Sequence, residues 1–412
     1  MSFKEHQKSL LSVPVLVAAL GYFVDIYDLL LFSIVRIKSL KGLGVTAEHM
    51  LSEGILLINV QMIGLLIGGI LWGVLGDKKG RLSVLFGSIL LYSIANILNG
   101  FAMTVTQYAI LRFVAGIGLA GELGAGITLV TETLPKKIRG YGTALVASVG
   151  LLGAVLAYFV ARHFDWRITY FIGGGLGMLL LLLRVSASES AMFKSSRQKH
   201  VKQGDFFSLF TNFKRFKRYL NCILIGIPIW FVIGILVTFS PELGVALKLP
   251  FAVNSGTAVM ACYIGLAVGD ISSGLISQYL RSRKHTVAVF LLLTLISIVL
   301  FLTYHGTSEK VFYGICLFCG FSIGFWAMFV TIAAEQFGTN LRSTVATTVP
   351  NFVRGALVPL TFLFNYIRQF TGLIGSAWIV GLATIVLAAV ALWHLEETFS
   401  KDLDFIEPLN EQ

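Results

Sequence analysis

Residues 73–81 read GVLGDKKGR: three glycines, one acid and three cations in nine positions. Long apolar runs flank it, 54–76 and 82–103. Roughly 20 apolar residues cross a bilayer as a helix, so the charged stretch reads as a tight turn between two spanning helices. Ten similar runs extend the pattern outward: 12–34, 108–133, 141–162, 168–183, 219–240, 252–280, 286–304, 311–335, 343–367 and 373–395. Charge and turn clusters separate them, among them LPKKIRG at 134–140, LRSRK at 280–284 and HGTSEK at 305–310. The run 168–183 is short and holds GGGLG at 173–177.

Composition agrees with lipid as the solvent. Of 412 residues, 56% are apolar and 13% charged, with 32 Phe. That charged share is about half that of a soluble chain. A cytosolic enzyme, a disordered protein and a secreted disulfide scaffold are excluded. The four cysteines, Cys222, Cys262, Cys316 and Cys319, sit inside apolar runs and read as packing. The start, MSFKEHQKSLLSVPV, enters the first apolar run without a small-residue cleavage site.

The net charge is +11. Lys and Arg concentrate in cytoplasmic loops of membrane proteins. With the amino terminus inside, twenty-two of the 32 Lys and Arg fall on the cytoplasmic side, eight outside, and Arg112 and Arg354 within spans. Both termini are therefore expected in the cytoplasm, and the basic balance needs no nucleic acid. The one long polar stretch, 184–218, holds nine basic residues against Glu189 and Asp205. Its run FFSLFTNFKRFKRYL suggests an interfacial amphipathic helix on an anionic inner leaflet.

A repeat divides the chain. TETLPKKIRG carries Glu132 and Arg139 seven apart, and AEQFGTNLRS carries Glu335 and Arg342 seven apart, 203 residues later. The expected fold is an all-α membrane protein with twelve transmembrane helices in two pseudo-symmetric six-helix bundles. The bundles span 1–183 and 219–412, the second ending in a short cytoplasmic tail, and 184–218 links them.

GVLGDKKGR matches the G-x-x-x-D-[RK]-x-G-R signature of the major facilitator superfamily through Gly73, Asp77, Lys78, Gly80 and Arg81. RFVAGIG is similar to its R-x-x-x-G-x-G element through Arg112, Gly116 and Gly118. GYFVDIYDLLLF, with Asp25, Tyr27 and Asp28, resembles the first-helix pattern of its metabolite:proton symporters, and AGELGAG, with Glu122, their fourth-helix pattern. LEETFSKDLDF is similar to a tail shared with sugar porters. Gln278 and Leu395 depart from the expected Asp and Pro. The resemblance implies a transporter whose bundles rock about a central site. Glu132, Arg139, Glu335 and Arg342, together with the signature, are then expected to latch the cytoplasmic side. Asp77 is expected to face the start of helix 11 near Ser343 and Thr344, where unpaired N–H groups favour an anion. Glycine pairs at Gly64/Gly68, Gly69/Gly73 and Gly265/Gly269 are expected to let the bundles approach.

Charges within the spans are costly and mark function or pairing. Asp25 and Asp28 are three apart, hence neighbours on a helix, and two buried carboxylates so close are expected to hold a proton. Arg112 is their natural counter-ion; by resemblance it faces Asp28, either as a proton switch or as a static pair. Glu122 is a second proton site, a substrate contact, or a neutral side chain bonded to a neighbouring helix. Asp270, near Tyr263, is a substrate candidate. Arg354, with Asn351 three residues earlier, suits a substrate carboxylate or pairs with Asp270 or Glu335. Tyr27, Gln61, Trp230 and Trp326 are further candidates for lining the cavity, the two Trp against packing or an interfacial belt.

No Walker-type loop or His/Cys cluster occurs, so no enzyme activity, metal or cofactor is expected beyond a coupling proton. The expected function is proton-coupled uptake of a small polar metabolite, an organic acid or zwitterion, by a monomer in the bacterial inner membrane, with lipid and the substrate as partners. Proton-driven export of amphipathic compounds, uncoupled facilitation and a non-transporting sensor are the alternatives.

Overall fold

Short polar side chains decide where several helices begin. In the computed structural model, which describes residues 12–79, 81–122, 139–187 and 206–399 together with 124, 126 and 134, Thr104, Asn254, Ser282 and Ser308 accept the N–H groups of Gln107, Thr257, His285 and Val311. Each cap satisfies a donor that the first helical turn leaves unpaired.

The first six spans are Val13–Gly42, Met50–Lys79, Arg81–Asn99, Val105–Leu119, Arg139–Leu151 continued by Gly153–His163, and Trp166–Ala187. The seventh is Phe213–Leu224 continued by Ile227–Phe231 and the π-helical Val232–Val237. Ser255–Leu280 and Arg283–Leu302 are the eighth and ninth, and Glu309–Ser322 with Trp326–Glu335 makes a broken tenth. Thr339–Gly355 and Leu357–His394 contain the last two, divided at Gly372, whose φ of 72° suits only a residue without Cβ. Among the described residues nine stretches are long and apolar enough to cross a bilayer, and Val84–Asn99 and Val105–Leu119 are shorter apolar helices. With the longest stretch divided at Gly372, the twelve-helix reading stands.

The first span ends at Gly42 rather than at 34. Thirty helical residues reach about 45 Å, beyond a hydrocarbon core of about 30 Å, so its final turns carry polar groups. Arg36 is one of them. It is fully buried and grips Glu242 of the second half through both guanidinium nitrogens at 2.7 Å. It also donates to the Thr238 carbonyl at 3.2 Å and lies 4.7 Å from the Phe239 ring. Thr238 donates to Ser33 at 3.2 Å. These contacts join the halves on the side away from Ser12 and Phe399.

Nearer the other side, Asn351 donates to the Ala120 carbonyl at 3.0 Å, and Gly69 packs on the Asn351 side chain. The halves thus meet on both sides of the molecule's middle. Of the latch residues, Asp77, Gly80, Arg81, Glu132 and Arg139 have side chains or backbone outside the described residues. Gly73 has open space around it.

The glycine pairs correct one expectation. Gly64 and Gly68 lie against Phe113, Gly116 and Ile117 of the fourth span, and Gly265 and Gly269 against Leu317 and Phe321 of the tenth. Both seams lie within a half. A moving interface needs contacts that break, whereas backbone-to-backbone glycine contacts are permanent packing.

The tail motif also has a physical basis. Glu397 accepts the Ser282 hydroxyl and the N–H groups of Arg283 and Lys284, tying the segment after His394 to the turn before the ninth span.

Two predictions follow from these contacts. Glu242→Gln strands a buried cation, a loss of about 3–5 kcal/mol for a buried pair. Labelling of a Ser255→Cys reporter from that side should then quicken at least tenfold, and an unchanged rate contradicts the latch. For Glu397, burial pushes the carboxyl up, but the Ser282 hydroxyl and the Phe399, Arg283 and Lys284 N–H groups outweigh it and hold it at about 2. A lowered folded value stabilises above the ordinary 4.5 and fades as pH falls towards 2. The melting-point deficit of Glu397→Gln should therefore be present at pH 7 and shrink below pH 4. A deficit constant with pH would show that the carboxylate's charge contributes nothing.

Candidate functional site

The centre of the molecule holds a tight cavity between the halves. Tyr22, Ile26, Leu29 and Leu151 line it from the first half, and Trp230, Tyr263, Trp326 and Arg354 from the second. Its volume is about 10 Å³, room for about one water. The walls are apolar and aromatic, and among the described residues the one charged lining group is Arg354.

Arg354 sits one residue before the end of Thr339–Gly355, four residues after Pro350. Pro350 removes the N–H that would bond the Ala346 carbonyl, in the turn before the one that presents the arginine. The guanidinium is buried, and its carbon lies 5.5 Å from the Trp326 ring centre, a cation–π contact. Its nearest acid is Asp25 across the interface, at 3.8 Å. That distance is an ion pair without a hydrogen bond. Arg354 Nε and Nη1 and both Asp25 oxygens make no hydrogen bond. The partner is thus Asp25 rather than Asp270 or Glu335. Pairing with Asp270 or Glu335 was the alternative to a substrate contact; the first span, packed across the interface, supplies a closer acid than either.

Asp28 belongs to a different cluster. It points into the first half, where Gly173 leaves room for its carboxylate, with Arg112 and Asn96 as polar neighbours. Arg112 bonds the Gln61 side chain and donates to Tyr170 at 3.5 Å, with the Phe32 ring 5.2 Å away. Tyr27 donates to the Thr169 carbonyl at 3.0 Å. Asp28, Arg112, Gln61 and Tyr27 therefore form a polar core inside the first half, beside the cavity rather than in its wall. A spacing of three places residues about 60° apart on a helix, which here is enough to send Asp25 and Asp28 to different neighbours.

The remaining candidates disperse. Glu122 pairs with Arg184, which also donates to the Val17 carbonyl at 3.4 Å. Glu335 pairs with Arg283 at 2.7 Å, and Arg342 donates to the Phe337 carbonyl at 3.4 Å. Asn351 belongs to the seam between halves. Asp270 accepts the Ala327 N–H at 3.1 Å. Trp230 and Trp326 line the cavity, and the Trp230 indole N–H has no hydrogen-bond partner.

Sequence reasoning passed over Arg36, Glu242, Arg184 and Tyr22. Arg36 and Arg184 lie just past the expected ends of their apolar runs and read as loop cations. Their signal was position: an arginine within two turns of a run's end can belong to the helix that the run starts.

Comparison with known proteins accords with this architecture. The pattern of the Major Facilitator Superfamily matches residues 19–356. The niacin transporter NiaP of Acinetobacter baylyi is 27% identical over 95% of each chain. The cis,cis-muconate transport protein of the same organism is 27% identical over 92% of this chain and 91% of its own. The structure of the proton:xylose symporter XylE bound to 6-bromo-6-deoxy-D-glucose superposes with a TM-score of 0.70 over 98% of both chains, at 18% identity. The chain is a membrane transporter, not an enzyme, and belongs to the major facilitator superfamily.

Proposed function

We propose that the chain imports a small organic acid together with a proton, and that the substrate carboxylate binds Arg354. One observation carries this reading: a buried arginine facing an aromatic cavity between the halves, with two guanidinium donors unused and only a distant partner in Asp25. A carboxylate fits that planar fork better than a neutral group does. The rings of Trp326, Trp230, Tyr22 and Tyr263 suit a flat, unsaturated body. NiaP and the muconate protein, named for such acids, support this class.

Coupling follows from charge. A substrate carboxylate that takes Arg354 leaves Asp25 as a buried anion without a counter-charge, which is costly. A proton on Asp25 removes the cost. Anion and proton then enter together, and the loaded site carries the same charge as the empty one. Asp28 beside Arg112 supplies a second buried carboxylate through which the proton can pass. The Lys and Arg asymmetry supports placement in the bacterial inner membrane with both termini cytoplasmic. A monomer suffices, since the site lies within one chain.

Three outcomes test the reading. Arg354→Lys keeps the charge and loses the fork, so nicotinate or benzoate should bind at least tenfold more weakly in calorimetry. Wild-type affinity in Arg354→Gln would exclude the carboxylate role. If binding takes up one proton, Kd should rise as pH rises, approaching tenfold per unit. Asp25→Asn should flatten that dependence and lose uphill accumulation in proteoliposomes while keeping exchange. An Asp25→Asn variant that still concentrates substrate assigns coupling elsewhere.

A further inference from the structure

Trp326 owes its place over Arg354 to a break in the tenth span. Glu309–Ser322 ends in a turn at Ile323 and Gly324, and a second helix begins at Trp326. The first N–H groups of that helix have no intrahelical acceptor. The residue before it, Phe325, has no side-chain oxygen to cap them. In water the solvent would serve, but a helix start deep in the bundle needs an acceptor from the protein.

Asp270 of the eighth span is that acceptor. Its Oδ1 takes the Ala327 N–H at 3.1 Å, and the side chain is 8% exposed. The approach depends on two glycines. A Cβ on Gly324 would lie 2.3 Å from Gly269 Cα, and one on Gly269 would lie 2.3 Å from the Phe321 carbonyl oxygen. The backbones therefore touch one residue before Asp270. No cation pairs with Asp270 among the described residues, and it is absent from the cavity wall. Its carboxyl oxygen faces the amino end of the Trp326–Glu335 helix, where N–H groups are left unpaired. Tyr263, two turns earlier on the same span, does reach the cavity.

We infer that Asp270 is a positioning residue for the transport site: its carboxylate caps the helix beginning at Trp326 and so holds the indole over Arg354, where the flat face of the substrate packs. This rests on the reading of Arg354 as the carboxylate anchor. It assigns Asp270 neither a substrate contact nor a proton.

The test compares Asp270→Asn, which keeps an acceptor oxygen, with Asp270→Ala, which removes it. Two readouts are taken from purified full-length protein. The first is the emission of Trp326, isolated by subtracting the spectrum of the matching variant that also carries Trp326→Phe. The second is the Kd for benzoate and for the non-planar cyclohexanecarboxylate. Asp270→Ala should shift the Trp326 emission and weaken benzoate by about five- to tenfold, the worth of a helix cap. Cyclohexanecarboxylate should change by less than twofold. Asp270→Asn should restore the emission and most of the benzoate affinity. Should Asp270→Ala not fold, a near-normal Asp270→Asn is still required. If Asn is as defective as expected of Ala, or if Ala leaves both the emission and the benzoate affinity unchanged, the positioning role is overturned. If the wild type binds no carboxylate, the functional reading fails, while the emission comparison still decides whether Asp270 holds Trp326.

Discussion

Arg354 is a cation buried in a low-dielectric core, and the two halves are arranged around it. Arg354 is 1% exposed, so bulk solvent does not satisfy its guanidinium. The fold meets it with a carboxylate at 3.8 Å from the opposite half and an indole face at 5.5 Å. Neither satisfies its N–H donors. Completing them requires an acceptor that the protein withholds, and a substrate carboxylate is such an acceptor. On the reading proposed above, the incomplete pairing turns a buried charge from a liability into a substrate anchor.

Around that site the molecule is layered by permanence. Within each half, glycines bring backbones into direct contact, at Gly64 with Gly116 and at Gly269 with Gly324. Ion pairs such as Glu122–Arg184 fix helices of the same half. Between halves the described polar contacts run through side chains that can exchange their partners for water: Arg36 with Glu242, Thr238 with Ser33, Asn351 with the Ala120 carbonyl. Rocking needs this division, since a close-packed core moves as a body while a seam of hydrogen bonds opens at modest cost. The cavity that lies between these contacts is small, about 10 Å³.

Much of the fold was legible in the chain because apolar run length is a one-dimensional signal. Twelve runs, their charged separators and GVLGDKKGR were enough for the architecture. The identities of the buried charges were legible for the same reason, as Asp25, Asp28, Arg112, Glu122, Asp270 and Arg354 interrupt apolar runs. Their partners were not. Arg354 meets Asp25, 329 positions away, and no local pattern encodes a contact across an interface. Asp270 caps a helix whose start lies in an unbroken apolar run, so the break, and with it the role, was invisible. Arg36 was lost because apolar character ends before the helix does.

In the proposed cycle one organic anion and one proton share the Arg354–Asp25 pair and cross together without net charge. Accumulation of labelled nicotinate in proteoliposomes tests it most directly, with a pH gradient and a membrane potential imposed separately. An inward proton gradient at zero potential should drive accumulation, and a potential of either sign without a pH gradient should not. Accumulation that follows the potential and ignores the pH gradient would contradict the account.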